Sequence, residues 1–187
     1  MNTLERAATR KWLDRETVQE VLNYDPETGI FTWRARDEEM FPNARAAKIW
    51  NSRYAGKPTG YLRRDGYLTT TFIGRRWLLH RLAWLYMTGE WPSGEVDHKD
   101  RVKSNNSWHN LREASPSQNQ YNKIVHTPKS GYRGVSFHRQ SGKWMARIKV
   151  AGRKMSLGYY DSAREAANAY DRAAQTYHGE FGVTNAT

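Results

Sequence analysis

The 187-residue chain contains no cysteine. Disulfides and cysteine-based structural zinc sites are therefore excluded, and nothing ties the chain to an oxidising compartment. Long apolar runs are also missing; none approaches the roughly 20 residues that a membrane-spanning helix requires. The N-terminal stretch from Met1 to Arg15 is polar and charged, unlike a signal peptide. These absences predict a soluble, cytoplasmic protein with no membrane partner and no small-molecule cofactor. Acidic residues are in short supply: 19 Asp and Glu face 30 Lys and Arg, for a formal net charge of +11. Such a surface attracts phosphates from a distance and gains free energy by releasing their counterions, which points to nucleic acid. Aromatic residues are plentiful, with eight Trp and eleven Tyr. A chain without covalent staples needs such side chains to build a core, and they argue against disorder.

Local signals divide the chain into three stretches. In residues 1–77, Asp14 is placed to cap a short helix through Leu22. Tyr24-Asp25-Pro26-Glu27-Thr28-Gly29 reads as a turn before a strand at Ile30 to Trp33, and Asp65-Gly66 reads as a hairpin leading to a strand from Tyr67 to Phe72. Arg34 to Gly60 carries no clear pattern. In residues 78–126, His80 to Met87 reads as a helix ending at Gly89. Val96 to His98 and Trp108 to Leu111 read as short strands around a polar loop, and Ser115-Pro116 opens a helix. His126 to Gly131 reads as a linker. In residues 127–187, Lys143 to Val150 alternates, with Trp144, Ala146, Ile148 and Val150 on one face and Lys143, Met145, Arg147 and Lys149 on the other. Ser162-x-x-Glu165 is a capping box before a helix with an alanine-rich face. This predicts an α+β protein whose C-terminal part is a three-stranded antiparallel sheet packed on one helix.

Chemistry concentrates in Asp97-His98, then Asn110 and Asn119, with an Asn-Asn turn at Asn105-Asn106 between them. Adjacent strand residues point to opposite faces, so the Asp-His pair alone fits a polar surface hairpin equally well. The run VDHKDRVKSNNSWHNLREASPSQNQYNK, preceded by HRLAWLYMTGEWP, resembles the HNH nuclease family in the form where Asn replaces the last His. The upstream YDPETGIFTW and DGY resemble the N-terminal part of phage and intron-encoded members. The resemblance implies a small ββα-metal nuclease module that hydrolyses DNA phosphodiester bonds. It implies that His98 is the general base, that Asp97 and Asn119 hold one divalent metal, Mg2+ or Mn2+, and that Asn110 orients His98. Arg112 is then a phosphate contact or a surface salt-bridge partner, and Asn122 is a rival to Asn119. Ser107 stands where the family often has Arg. His80 and Arg81 also match, for packing or for DNA contact.

Between Lys129 and Lys154 lie eight Lys and Arg and no Asp or Glu. Such a face is either simply solvated or shaped for a DNA groove. The markers YRGV, GKW, an aromatic after LG, AAxAYDRAA and HGE resemble the ethylene-response-factor DNA-binding domain, which reads the major groove of double-stranded DNA with its sheet. Positions matching that family's contacts are Arg133, Ser136, His138, Arg147, Lys149, Lys154 and Ser156. Ser136, His138, Arg147 and Ser156 differ from the usual residues there, so groove binding is implied without the plant target sequence. The combined expectation is a homing-type nuclease, with a non-catalytic DNA-binding protein as its alternative and an RNA-binding protein less favoured. One nuclease motif per chain suggests a monomer that nicks.

Overall fold

The computed structural model describes residues 13–122 and 128–185. Compactness divides the chain into two units, residues 1–113 and 114–187. The sequence suggested divisions after residues 77 and 126 instead.

The first unit opens with α1 (Arg15–Val21), whose first turn is capped by Asp14 through the Thr17 N–H at 3.0 Å. Strands β1 (Leu22–Tyr24), β2 (Phe31–Trp33) and β3 (Pro58–Thr59) form one sheet in that order. Helix α2 (Ala44–Tyr54) interrupts them in the stretch that carried no sequence pattern. Asn43 caps α2, yet only Ala47 on it is buried, so the usual 3.6-residue apolar stripe is missing. What docks the helix is Trp50, half-buried, with the Arg36 guanidinium 4.0 Å from its ring.

A second sheet follows, β4 (Tyr61–Leu62), β5 (Leu68–Phe72) and β6 (Arg75–Leu78), with β5 central. Helix α3 (Leu79–Thr88) ends at Gly89, whose φ of 84° supplies the left-handed stop. β7 (Glu95–His98) and β8 (Leu111–Ala114) form a two-stranded sheet. Trp108–Asn110, read from sequence as the start of a strand, is a turn of 3-10 helix. The Trp108 N–H donates to the Pro26 carbonyl at 2.7 Å and its ring packs 5.2 Å from Trp84, which pulls the chain out of the extended path.

One hydrophobic core runs through this unit. Val18, Val21, Leu22 and Phe31 from its start pack with Leu79, Leu82, Leu85, Val96 and Leu111. Each such buried side chain contributes about 1.5–3 kcal/mol of transfer free energy. The core therefore crosses residue 77 without a break.

The second unit begins with α4 (Pro116–Asn122). Its N-terminus is closed reciprocally: Ser115 Oγ accepts from the Gln118 N–H and Gln118 Oε1 from the Ser115 N–H. Strands β9 (Val135–His138), β10 (Lys143–Val150) and β11 (Arg153–Tyr160) form an antiparallel sheet with β10 in the middle. Helix α5 (Ala163–His178), started by the Ser162–Glu165 capping box, packs across it. Buried alanines (Ala166, Ala167, Ala173 and Ala174) let the helix lie close to Ala146 and Ile148. Helix α4 is part of this assembly. Tyr121 stacks on His178 with ring centroids 3.7 Å apart, and its hydroxyl accepts from the Ala151 N–H at 2.9 Å. The linker reading at His126 and Thr127 falls outside the described residues. No helix among the described residues is long and apolar enough to cross a membrane.

Candidate functional site

In the first unit the polar centre forms where β7 ends. Asp97 and His98 are both buried, 5% and 3% exposed. Asp97 Oδ2 accepts from Arg112 Nε at 2.9 Å and Nη2 at 2.8 Å. Arg112, read from sequence as a phosphate contact or surface salt bridge, is thus an interior partner of the carboxylate, its side chain 10% exposed. Removing either charge alone would strand the other away from water.

His98 Nε2 lies 3.1 Å from Asn106 Oδ1. An amide oxygen accepts only, so this pairing places the proton on Nε2 and the basic lone pair on Nδ1. Asn106 is 1% exposed. The amide bonded to His98 is thus Asn106, where the resemblance implied Asn110. Asn110 bonds elsewhere: its Nδ2 donates to Asp100 Oδ1 at 2.9 Å and the Asn105 carbonyl at 2.8 Å, and its Oδ1 accepts from the Asp100 N–H at 3.0 Å. Asn110 ties together the loop between β7 and β8, and so supports His98 at one remove. The sequence carried a signal for Asn106, a second amide in Asn105-Asn106, but not its direction.

The loop is braced from the far end of the unit. The Tyr24 hydroxyl donates to the Asn106 carbonyl at 2.7 Å, across 82 residues. Gly29, at φ 73°, lies so close that a Cβ there would meet the Asn106 carbonyl carbon and the Ser107 nitrogen at 2.3 Å. The turn at Asp25 to Gly29 therefore shapes the polar centre.

Burial pushes the His98 imidazole below its usual range; Asn106, Asp100 and Asp97 oppose that shift and Lys103 adds to it. The ring is consequently neutral at neutral pH. His80, 5% exposed, is pushed down to about 3 by burial, with His98 and Arg81 acting in the same direction. An unfolded His80 titrates near 6.5. Between those values the unfolded chain binds more protons, so the stability this group contributes is complete above about pH 6.5 and is lost as pH falls toward 3. At about 1.36 kcal/mol per unit, the full loss is on the order of 4–5 kcal/mol. Denaturant unfolding at pH 7 and pH 4 should show wild type losing roughly 3 kcal/mol more than His80→Phe. Equal losses in the two proteins would mean that His80 is protonated in the folded state.

Among the described residues, no three acidic or histidine groups cluster as a self-sufficient metal cage. The donor on hand in this unit is the Asp97 carboxylate. Hard oxygens in small number suit Mg2+ or Mn2+, which keep waters and take substrate phosphate oxygens as further ligands. The Asp97 carboxylate is a ligand of the kind such an ion takes. Asn119 and Asn122 both lie on α4 in the second unit, Asn119 half-buried and Asn122 6% exposed.

In the second unit, strand register gathers the positions proposed for DNA. Arg147 pairs with Ser156, Lys149 with Lys154, Met145 with Ser136 and Lys143 with His138. Directly paired residues project to the same face, so Ser136, His138, Arg147, Lys149, Lys154 and Ser156 share the face away from α5. All are exposed except His138, which is half-buried and holds Ser141 Oγ at 2.8 Å. Met145 is on this face as well but is buried, with Arg147 Nε 3.1 Å from its sulfur. Arg133 is placed differently. It precedes β9, and its guanidinium donates to the Tyr121 carbonyl at 3.0 Å and meets the Tyr170 side chain.

Comparison with known proteins gives two matches. Residues 78–121 match the HNH endonuclease family and residues 130–180 match the AP2 domain. An uncharacterized HNH endonuclease of Acanthamoeba polyphaga mimivirus is 32% identical over 126 residues, covering 67% of this chain and 65% of the relative. An AP2-like ethylene-responsive transcription factor of Arabidopsis thaliana is 48% identical over 50 residues, 27% of this chain and 10% of that protein. A second Arabidopsis ethylene-responsive transcription factor is 52% identical over 58 residues, 30% of this chain and 14% of that protein. The chain thus spans just under two thirds of the viral relative and small parts of the plant factors. Among solved structures, one described as DNA binding and cleavage by the HNH homing endonuclease I-HmuI aligns over 90% of this chain and 91% of that one, at 19% identity and a TM-score of 0.39.

Proposed function

We propose that this chain, which carries an HNH endonuclease domain followed by an AP2 domain, is a metal-dependent endonuclease that hydrolyses phosphodiester bonds of double-stranded DNA and is held on its target by the C-terminal sheet. The observation that carries this reading is the buried His98, neutral and oriented by Asn106, immediately beside a carboxylate inside the matched HNH segment.

His98 acts as general base. Its Nδ1 takes a proton from the attacking water, and the imidazolium that forms is stabilised by Asn106 at Nε2 and by the nearby carboxylates Asp97 and Asp100. Asp97, kept in place by Arg112, would hold the Mg2+ or Mn2+. When bound, such an ion stabilises the charge that builds on the scissile phosphate and on the leaving oxygen. Arg147, Lys149 and Lys154, with Ser136, His138 and Ser156 between them, would lie against a DNA groove, where a strand ribbon fits. One nuclease motif per chain supports a monomer that nicks one strand.

The test is incubation of supercoiled plasmid with the protein and Mg2+, Mn2+ or a chelator. Nicked or linear product should accumulate only with metal. DNA binding without cleavage in either metal would leave the non-catalytic alternative standing. In the same assay, Arg147→Ala combined with Lys149→Ala should raise the DNA concentration for half-maximal rate and reduce the salt slope of binding by about one per lost phosphate contact. The saturating rate should persist. Its collapse at unchanged affinity would place these two residues in the chemistry rather than in recognition.

A further inference from the structure

Among the described residues, three that are not glycine have positive φ. Two of them lie in tight hairpins. Ile73, at φ 52°, precedes Gly74 between β5 and β6, and Ala151, at φ 47°, precedes Gly152 between β10 and β11. A two-residue hairpin turn requires that conformation of both central residues. The third is Arg101, at φ 66°. It lies in the longer connection between β7, which ends at His98, and β8, which starts at Leu111. Glycine or asparagine would hold this backbone at lower cost than an arginine.

The loop around Arg101 is pinned from within. The Arg101 N–H donates to the His98 carbonyl and the Asn105 N–H to the Val102 carbonyl, both at 2.9 Å. Asp100 is the one acidic residue of the loop, and both its oxygens are bonded inside it. Oδ1 accepts from the Val102 N–H at 2.8 Å and from Asn110 Nδ2 at 2.9 Å, and Oδ2 accepts from Asn105 Nδ2 at 2.7 Å. Lys103 is turned aside: its ammonium donates to the Asp65 carbonyl at 2.8 Å and lies 4.8 Å from the Tyr67 ring centre. Arg101 and Val102 remain at the tip. Both are exposed, Val102 at 51%. Among the described residues, no carboxylate pairs with the Arg101 guanidinium.

This tip stands beside the imidazole. The Tyr67 ring that Lys103 covers is 6.0 Å from the ring of His98, and Arg101 is bonded to the His98 backbone. A duplex whose scissile phosphate reaches His98 therefore passes the tip. A single exposed valine is ordinary on a protein surface; what sets Val102 apart is this place, next to a cation, where a DNA strand presents phosphates separated by less polar sugars.

We propose that Arg101 and Val102 form a DNA contact flanking the cleaved bond: Arg101 pairs with a backbone phosphate neighbouring the scissile one, and Val102 rests against the adjoining deoxyribose. The proposal rests on His98 acting on DNA. The backbone at Arg101 is set before DNA arrives, which reduces the ordering needed on binding.

Arg101→Gly removes the charge and relaxes the backbone together, so stability and binding should move in opposite directions. The variant should melt about 2–4 °C above wild type. Its DNA concentration for half-maximal rate should rise about 10-fold, the size of one charge-assisted hydrogen bond, and the salt slope of binding should fall by about one. Val102→Ser should raise the half-saturating concentration about threefold with the salt slope unchanged, because apolar contact releases no counterion. Arg45→Ala, which removes an exposed cation from α2, should change neither. The chain has no cysteine, so Arg101→Cys can carry a single iron-chelate probe. Strand scission by the probe should fall within about five base pairs of the protein's own cut, given the few residues between Arg101 and His98. Wild-type half-saturation and salt slope in Arg101→Gly, equal losses in Arg45→Ala, or a lowered melting temperature in Arg101→Gly would overturn the proposal, as would probe scission that is absent or remote from the cut. Should the wild-type protein bind DNA without cleaving it, the nuclease reading falls, whereas probe scission of the bound duplex still decides whether the tip touches DNA.

Discussion

Replacing His98 by Ala should slow plasmid cleavage about 100- to 10,000-fold, the usual cost of losing a general base, while duplex affinity stays near wild type. The two effects separate because His98 is 3% exposed and supplies no positive charge to the DNA; its neutral imidazole is available to accept a proton, not to hold a phosphate. The substitution removes a ring packed against Tyr67 and His80, so some stability is lost as well. Thermal unfolding of the variant must therefore lie above the assay temperature. The pH dependence carries a sign. The base works when deprotonated, and burial holds the His98 pKa below its usual value near 6.5. At saturating metal the wild-type rate should fall only on the acid side, with its midpoint below pH 6.5, and run flat through neutrality. Cleavage by His98→Ala within tenfold of wild type would remove His98 from the mechanism.

The second large effect is expected far from His98 in sequence. Gly29→Ala should both destabilise the protein by roughly 3 kcal/mol or more, the range of severe steric disruptions, and reduce cleavage at least about 100-fold. Gly29 has φ 73°, and its missing side chain makes room for backbone: the Asn106 carbonyl carbon and the Ser107 nitrogen at 2.3 Å from an ideal Cβ, and the Asn106 oxygen at 2.8 Å. None of these is the movable end of a side chain. Either the turn or the loop must shift, and both are pinned, by the Tyr24 hydroxyl on Asn106 and by the Trp108 N–H on Pro26. A displaced Asn106 carries its contact with His98 along. Gly56 is a matched control, with φ 75° and nothing within 4 Å of its Cβ. Gly56→Ala should cost only the backbone penalty of about 1–2 kcal/mol and leave the rate intact. Comparing melting temperatures and rates of the two variants isolates the close approach. Equal behaviour of the pair would show that the turn does not hold the catalytic loop.

Much of this was legible in the chain because its causes are local. Asp14, Gly89 and the Ser162–Glu165 box mark helix ends, since capping acts over one turn. The alternation from Lys143 to Val150 predicted which side chains face α5 and which form the basic face, because strand side chains point to opposite faces in turn. The Asp97-His98 pair was visible as a motif, and its resemblance led to the family that residues 78–121 match. Helix α2 was not legible, since a cation over one tryptophan holds it rather than an apolar stripe.

What only the tertiary structure decided are partnerships between groups whose pairing no spacing rule foretells. Three candidate amides, Asn105, Asn106 and Asn110, lie within six positions, and folding alone selects Asn106 for His98 and leaves Asn110 to the loop. Arg112 has the composition of a phosphate contact, yet the pairing of β7 with β8 places it on Asp97, 15 residues away. The turn at Gly29 reads locally as a turn and nothing more; its service to Asn106 exists because one core joins the start of the chain to α3, β7 and β8. Period and capping are written in neighbouring residues, whereas a buried polar group takes whichever partner the packed core brings within reach, because away from water it must take one.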